Sequence, residues 1–130
     1  MDKPRIRVVI AEIERHGRFL ITQRREGAVM PLLWEFPGGR VQPGETDAQA
    51  LARSVRERLG VELAVEELTL QNEHAYDAYV VVLASYRAAV IGEPQNLKVR
   101  DHRWAAPEDF DQYTFPDADQ STVDALLGPI

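Results

Sequence analysis

Two glycines set directly before a capped helix constrain this chain more than any other feature. The stretch WEFPGGRVQPGETDAQALARSVRERLGV runs from Trp34 to Val61. Trp34–Phe36 reads as a short strand closed by Pro37, Gly38 and Gly39, where glycine permits positive φ or close backbone approach. Gln42–Glu45 reads as a turn. Thr46 with Gln49 fits a capping box, and Gly60 fits the residue just past a helix. Between them Ala48, Leu51, Ala52, Val55 and Leu59 recur at helical spacing and mark the expected buried face. Ser54, Glu57 and Arg58 gather on another face, because positions three and four apart are neighbours.

The flanks of this segment read mostly as strands. Ile6–Ile13 is rich in β-branched residues, ERHG makes a turn, and Arg18–Thr22 is the expected hairpin partner. Arg24–Leu33 breaks into a loop. Further strands are expected at Val61–Leu70, Tyr79–Val90 and Leu97–Trp104. PEDF at 107–110 suggests one helical turn, and 118–127 a terminal helix that buries Val123, Leu126 and Leu127. The order implies an α+β fold, a mixed sheet with helices packed on its faces.

At 130 residues the chain has the size of one domain, expected to span 1–130. Its net charge of -6 disfavours a DNA-coating protein and makes nucleic acid an unfavoured partner. With no cysteine, thiolate metal sites and disulfides are excluded. No apolar run has the length of a signal or a membrane span, so a cytoplasmic location is expected.

The glycine–helix segment resembles the box of the Nudix hydrolases, G-x5-E-x7-R-E-U-x-E-E-x-G-U, where U is a bulky aliphatic residue. Gly39, Glu45, Arg53, Val55, Glu57, Gly60 and Val61 match it in order and spacing. WEFPGG, GEP at 92–94, Trp104 and FPDAD at 115–119 are similar to the MutT-like branch, so the resemblance covers nearly the whole chain. It implies a Nudix fold and an ancestry among nucleoside triphosphate pyrophosphohydrolases, with other nucleoside diphosphate-linked compounds as further substrates. It also implies Mg²⁺ or Mn²⁺ where hydrolysis is retained. Hard cations of this kind take carboxylate, phosphate and water oxygens.

The resemblance makes Glu57 and the Gly38 carbonyl metal ligands, with Glu57 and Arg53 in the catalytic machinery. Gly39, Glu45 and Gly60 take structural places in the box. Arg24 and Glu35 match positions that contact substrate or brace the site, and Asp119 matches the position that reads the base. An ionised aspartate there only accepts hydrogen bonds, which would suit a base presenting an amino group. Asp119 would equally suit the start of the last helix.

The box is degenerate. Ser54 and Arg58 stand where the family has glutamates, and Lys98 matches a further glutamate of MutT-like relatives. One lost charge and two reversals make the site about five units more positive. A cation 4 Å from Mg²⁺ is repelled by roughly 8 kcal/mol at an effective dielectric of 20, an upper sense of scale. Ordinary Mg²⁺ loading is therefore expected to be poor, and activity weak or altered. Arg58 and Lys98 are either solvated surface charges or, with Arg24, direct phosphate ligands that leave no need for metal.

Two further readings follow. Glu57 serves as a residual metal ligand, as a partner for Arg53, or as both. HAY at 74–76, RW at 103–104 and FPDAD also resemble the C-terminal domain of the adenine glycosylase MutY, a non-hydrolytic Nudix fold that recognises an oxidised base. The alternative function is thus a nucleotide or oxidised-base binding module. His74 is expected to be a packed or surface residue.

Overall fold

The computed structural model describes residues 2–128. Its strands are β1 Arg5–Arg15, β2 Arg18–Gln23, β3 Trp34–Glu35, β4 Gly38–Arg40, β5 Glu62–Ala75, β6 Val80–Ile91 and β7 Asp101–Ala105. Helix α1 spans Asp47–Leu59, a 3₁₀ turn Pro107–Gln112, and α2 Gln120–Leu127. The sheet runs β3-β2-β1-β6-β5, with β4 also paired to β1 and β7 to β2. β1 is parallel to β6 but antiparallel to β2 and β4, so the sheet is mixed.

The helix ends are where local chemistry puts them. The Thr46 hydroxyl accepts from the Gln49 N–H at 3.1 Å, and the Gln49 side chain accepts from the Thr46 N–H at 2.9 Å. Gly60 closes α1 at φ 68°, in the left-handed region that glycine adopts without penalty.

The buried face of α1 differs from the expected one. Ala50, Leu51, Ser54, Val55 and Leu59 are buried, whereas Ala48 is exposed and Ala52 half-buried. The helix is rotated toward Ser54, because that side rests on the glycines of β4. Leu51, Val55 and Leu59 join Val9, Ala11, Ile13 and Ala84 in the main core. Each Val, Leu or Ile among them contributes about 1.5–3 kcal/mol by leaving water.

Strand alternation sends Ile6 and Val8 to the opposite face. There they meet Tyr76 and Tyr79, with Val123 and Leu127 of α2 packed alongside. Tyr79 is almost wholly buried, and its hydroxyl donates to the Asp124 carboxylate. Burial pushes its pKa up to about 12, with the neighbouring carboxylate adding to the effect. Val123, Leu126 and Leu127 are half-buried.

Three boundaries moved. The glycines expected to close a turn form strand β4, because β1 offers them partners. β5 continues to Ala75 through register shifts between Val65 and Leu70, longer than the expected Val61–Leu70. β7 begins only at Asp101, since 97–100 are bends. Among the described residues no helix is long and apolar enough to cross a membrane.

Candidate functional site

The site begins at the contact between β4 and β1. Val9 pairs with Gly39 and Ile10 with Gly38. A Cβ on Gly38 would stand 2.0 Å from the Val9 carbonyl oxygen and 2.8 Å from the Ile10 Cα, so no other residue fits without moving backbone. Gly39 faces α1 instead, where an added Cβ would lie 3.2 Å from Ser54 Oγ and 3.7 Å from an Arg58 nitrogen. The helix can therefore bring one turn of side chains directly onto the glycine strand.

Ser54 and Arg58 are those side chains, one turn apart on the same face. Ser54 is 2% exposed. The Arg58 guanidinium donates to the Gly38 carbonyl oxygen. Arg58 thus sits on the very carbonyl that the family resemblance assigns to a metal.

A brace fixes the loop before α1. Arg53 Nε and Nη2 donate to the two carboxylate oxygens of Glu45 at 2.7 and 2.9 Å, and Nη2 also donates to the Arg40 carbonyl at 3.2 Å. The Gln42 N–H donates to Glu45 at 2.9 Å. The Arg53 hydrogen bonds, then that of Gln42, hold the Glu45 carboxyl below the usual carboxylate range, and Glu45 in turn raises Arg53. Glu45 is bound up in structure. Glu57 lies 3.8 Å from Arg53, with its side chain 50% exposed.

Beside this contact is a pocket of about 280 Å³ lined by Arg24, Arg25, Glu35, Glu57, Arg58 and Lys98. Five of the six were expected at the site from sequence, and the six come from the loop after β2, from β3, from α1 and from the segment before β7. Lys98 is placed by backbone: its N–H donates to the Arg58 carbonyl at 3.1 Å. Arg24 donates to both Glu35 oxygens, at 3.2 and 3.4 Å, and to the Val29 carbonyl at 2.7 Å. Arg25 was not anticipated. Its only signal is its place next to Arg24, in a loop whose path no local pattern sets.

Cations outnumber carboxylates in this pocket by four to two. Among the described residues Arg25, Arg58 and Lys98 have no carboxylate within 4.0 Å. Nor do the described residues contain any group of three or more His, Cys, Asp or Glu side chains placed to hold a metal ion. Glu35 is engaged by Arg24, and the Gly38 carbonyl is covered by Arg58. This donor set does not fit a Mg²⁺ ion bound in the manner the family resemblance implies.

An apolar cleft of about 380 Å³ adjoins the cationic pocket, sharing Glu35 with it and reaching Gly38 and Gly39. Ile10, Phe36, Leu83, Phe115 and Leu126 supply its walls. Phe36 and Phe115 are stacked, with centroids 5.8 Å apart and planes at 26°. Trp34, by contrast, packs edge-on against Tyr113 at 5.0 Å.

Asp119 is the N-cap of α2. Its Oδ1 accepts from the Thr122 N–H at 2.8 Å and from the Ser121 hydroxyl at 3.2 Å. These bonds, that of Thr122 first, lower its pKa. Asp117 and Ala118, rather than Asp119, line the cleft. His74 is exposed, with its ring 4.4 Å from that of Tyr76, and lines neither pocket.

The NUDIX domain profile matches residues 8–125. A CTP pyrophosphohydrolase of Escherichia coli is 34% identical over 125 residues, covering 94% of this chain and 91% of that protein. An 8-oxo-dGTP diphosphatase of Haemophilus influenzae is 33% identical over 129 residues, covering 98% and 95%. The crystal structure of a MutT protein from Methanosarcina mazei superposes with a TM-score of 0.75 at 25% identity, covering 89% of this chain and 88% of the other. With its fold, its glycine strand and its capped box helix, this chain belongs to the Nudix family, among MutT-like proteins.

Proposed function

We propose that this chain binds nucleoside triphosphates or other nucleoside diphosphate-linked compounds, and that its pyrophosphohydrolase activity is weak or altered. The phosphates occupy the cationic pocket, and the base or another apolar group enters the adjoining cleft. Similarity to a CTP pyrophosphohydrolase and to an 8-oxo-dGTP diphosphatase supports the nucleotide class and puts cytosine and oxidised guanine on the trial panel.

The observation that carries the reading is the Arg58 contact to the Gly38 carbonyl. A fixed cation on that oxygen, with Ser54 at its side, removes acceptors that a hard divalent ion requires. Chemistry left to the chain itself is limited. Glu57 is the one pocket carboxylate open enough to take a proton from an attacking water, because Glu35 is held by Arg24. Ser54 cannot act as such a base near neutral pH. The same contact favours the second reading, a module that binds nucleotide or an oxidised base without hydrolysis.

Release of phosphate and pyrophosphate from a nucleotide panel tests this, with Mg²⁺, with Mn²⁺ and with chelator. Binding with slow or no turnover is the expected result. Rapid Mg²⁺-dependent turnover that Glu57→Gln abolishes would overturn it and restore an ordinary hydrolase.

A further inference from the structure

The disagreement between this site and a bound metal has a positive counterpart in its charges. Nine of the chain's fifteen Lys and Arg residues lie within 4.0 Å of a carboxylate among the described residues. Of the six that do not, Arg25, Arg58 and Lys98 line one pocket. In a chain of net charge -6, where carboxylates are plentiful, these three cations leave the pocket with four cations against two carboxylates, a local excess of positive charge. Like charges held side by side at a partly exposed site repel one another, and a bound anion relieves that repulsion.

We infer that this pocket takes the phosphate chain of a nucleoside polyphosphate free of metal, with Arg58 in the place of the cation and Lys98 and Arg25 as its partners. The inference rests on the reading that the site binds such compounds. Arg58 spends one donor on the Gly38 carbonyl, which fixes its guanidinium, and keeps others for phosphate oxygens. A planar guanidinium gives phosphate two parallel hydrogen bonds, and an ammonium adds a point charge. The volumes agree. At about 280 Å³ the pocket suits a phosphate chain, while the adjoining cleft of about 380 Å³ receives the rest of the molecule.

Mg²⁺ then becomes a competitor. It removes two negative charges from the phosphate chain that the cations would otherwise hold, so metal-bound nucleotide should bind more weakly than free nucleotide. This is the reverse of a metal-dependent site. Binding should also weaken steeply with salt, because part of the attraction is between partly solvated charges.

Calorimetric titration with the common nucleoside triphosphates and with inorganic tripolyphosphate, in chelator and in excess Mg²⁺, decides the matter. Tripolyphosphate and at least one nucleotide should bind in chelator, about tenfold more tightly than in Mg²⁺, a difference of ~1.4 kcal/mol. Arg58→Gln should lose about tenfold in chelator and Arg58→Lys should recover part of it. Should Arg58→Gln fold poorly, Lys98→Gln serves instead, since Lys98 is exposed; it should lose about fivefold. Nucleotide binding that requires Mg²⁺, or that none of these variants changes, overturns the metal-free grip while leaving nucleotide binding intact. No binding of any nucleotide or of tripolyphosphate, in either condition, overturns both.

Discussion

Arg58 donates to the carbonyl oxygen of Gly38, twenty residues away in the chain, and so lays a cation of α1 on the glycine strand. Three features meet at the contact. β4 pairs with β1 and so orients the carbonyl, Gly39 presents no side chain to the helix, and the small Ser54 lies where a Gly39 Cβ would crowd it at 3.2 Å. Charge reversal at residue 58 would have been tolerable on a solvated helix face. Here the guanidinium instead covers the Gly38 carbonyl.

Restoring carboxylates should bring the metal back. The triple variant Ser54→Glu, Arg58→Glu, Lys98→Glu is expected to bind Mg²⁺ at least about tenfold more tightly than the parent, because hard oxygen ligands replace cations. Calorimetric titration with Mg²⁺ reads this directly. An unchanged affinity would mean that the metal site has been misplaced.

The proposed division between a phosphate pocket and a cleft for the rest of the ligand makes a second test. Phe115→Ala removes one wall of the apolar cleft and half of the Phe36 stack. Nucleotide affinity should fall about tenfold, in line with the loss of an aromatic contact, while tripolyphosphate affinity stays the same. Equal losses for both ligands would argue for one undivided site.

Gly38→Ala tests the steric argument. With a Cβ placed 2.0 Å from the Val9 carbonyl, β4 cannot keep its register on β1. We expect a loss of about 3 kcal/mol, read from the urea midpoint. Wild-type stability in this variant would show that β4 and β1 are farther apart.

A pH effect on stability is expected from Asp47, in the first turn of α1. Arg7 donates to both its oxygens, each at 2.7 Å, and the Tyr86 hydroxyl donates at 2.5 Å. The Arg7 hydrogen bonds, assisted by Tyr86, lower its carboxyl pKa from an ordinary value of 3.8 despite partial burial. Its contribution is therefore complete above the unfolded value and lost as pH falls through the lower folded value. Asp47→Asn should cost about 2 kcal/mol at neutral pH and flatten the decline of stability below about pH 4. Urea unfolding at neutral and acidic pH checks both, and a parallel decline in parent and variant would exclude Asp47 as its source.

Helix α1 was legible almost to the residue, because Thr46, Gln49 and Gly60 act within one turn of its ends. The long strands β1 and β6 were legible too, β1 from its β-branched residues. What failed were features decided at a distance. Gly38 and Gly39 carry turn chemistry and become a strand only because β1 lies alongside. Ala48 has the periodicity of a core residue, yet the helix turns Ala50 and Ser54 inward to meet that strand. For Asp119 two roles were legible; the backbone of α2 accounts for one, as its cap.

The sequence alone carries the fold, the capped box helix, and Ser54 and Arg58 at two of the three helix positions where the box has carboxylates. Those depend on residue identity, local spacing and a motif that survives substitution. That Arg58 reaches Gly38, that Arg24 holds Glu35, and that Arg25 joins Lys98 in one pocket follows from the packing of strands, helix and loops. Whether a charge finds a partner depends on distances between strands, helix and loops far apart in the chain, and no local pattern of residues encodes them.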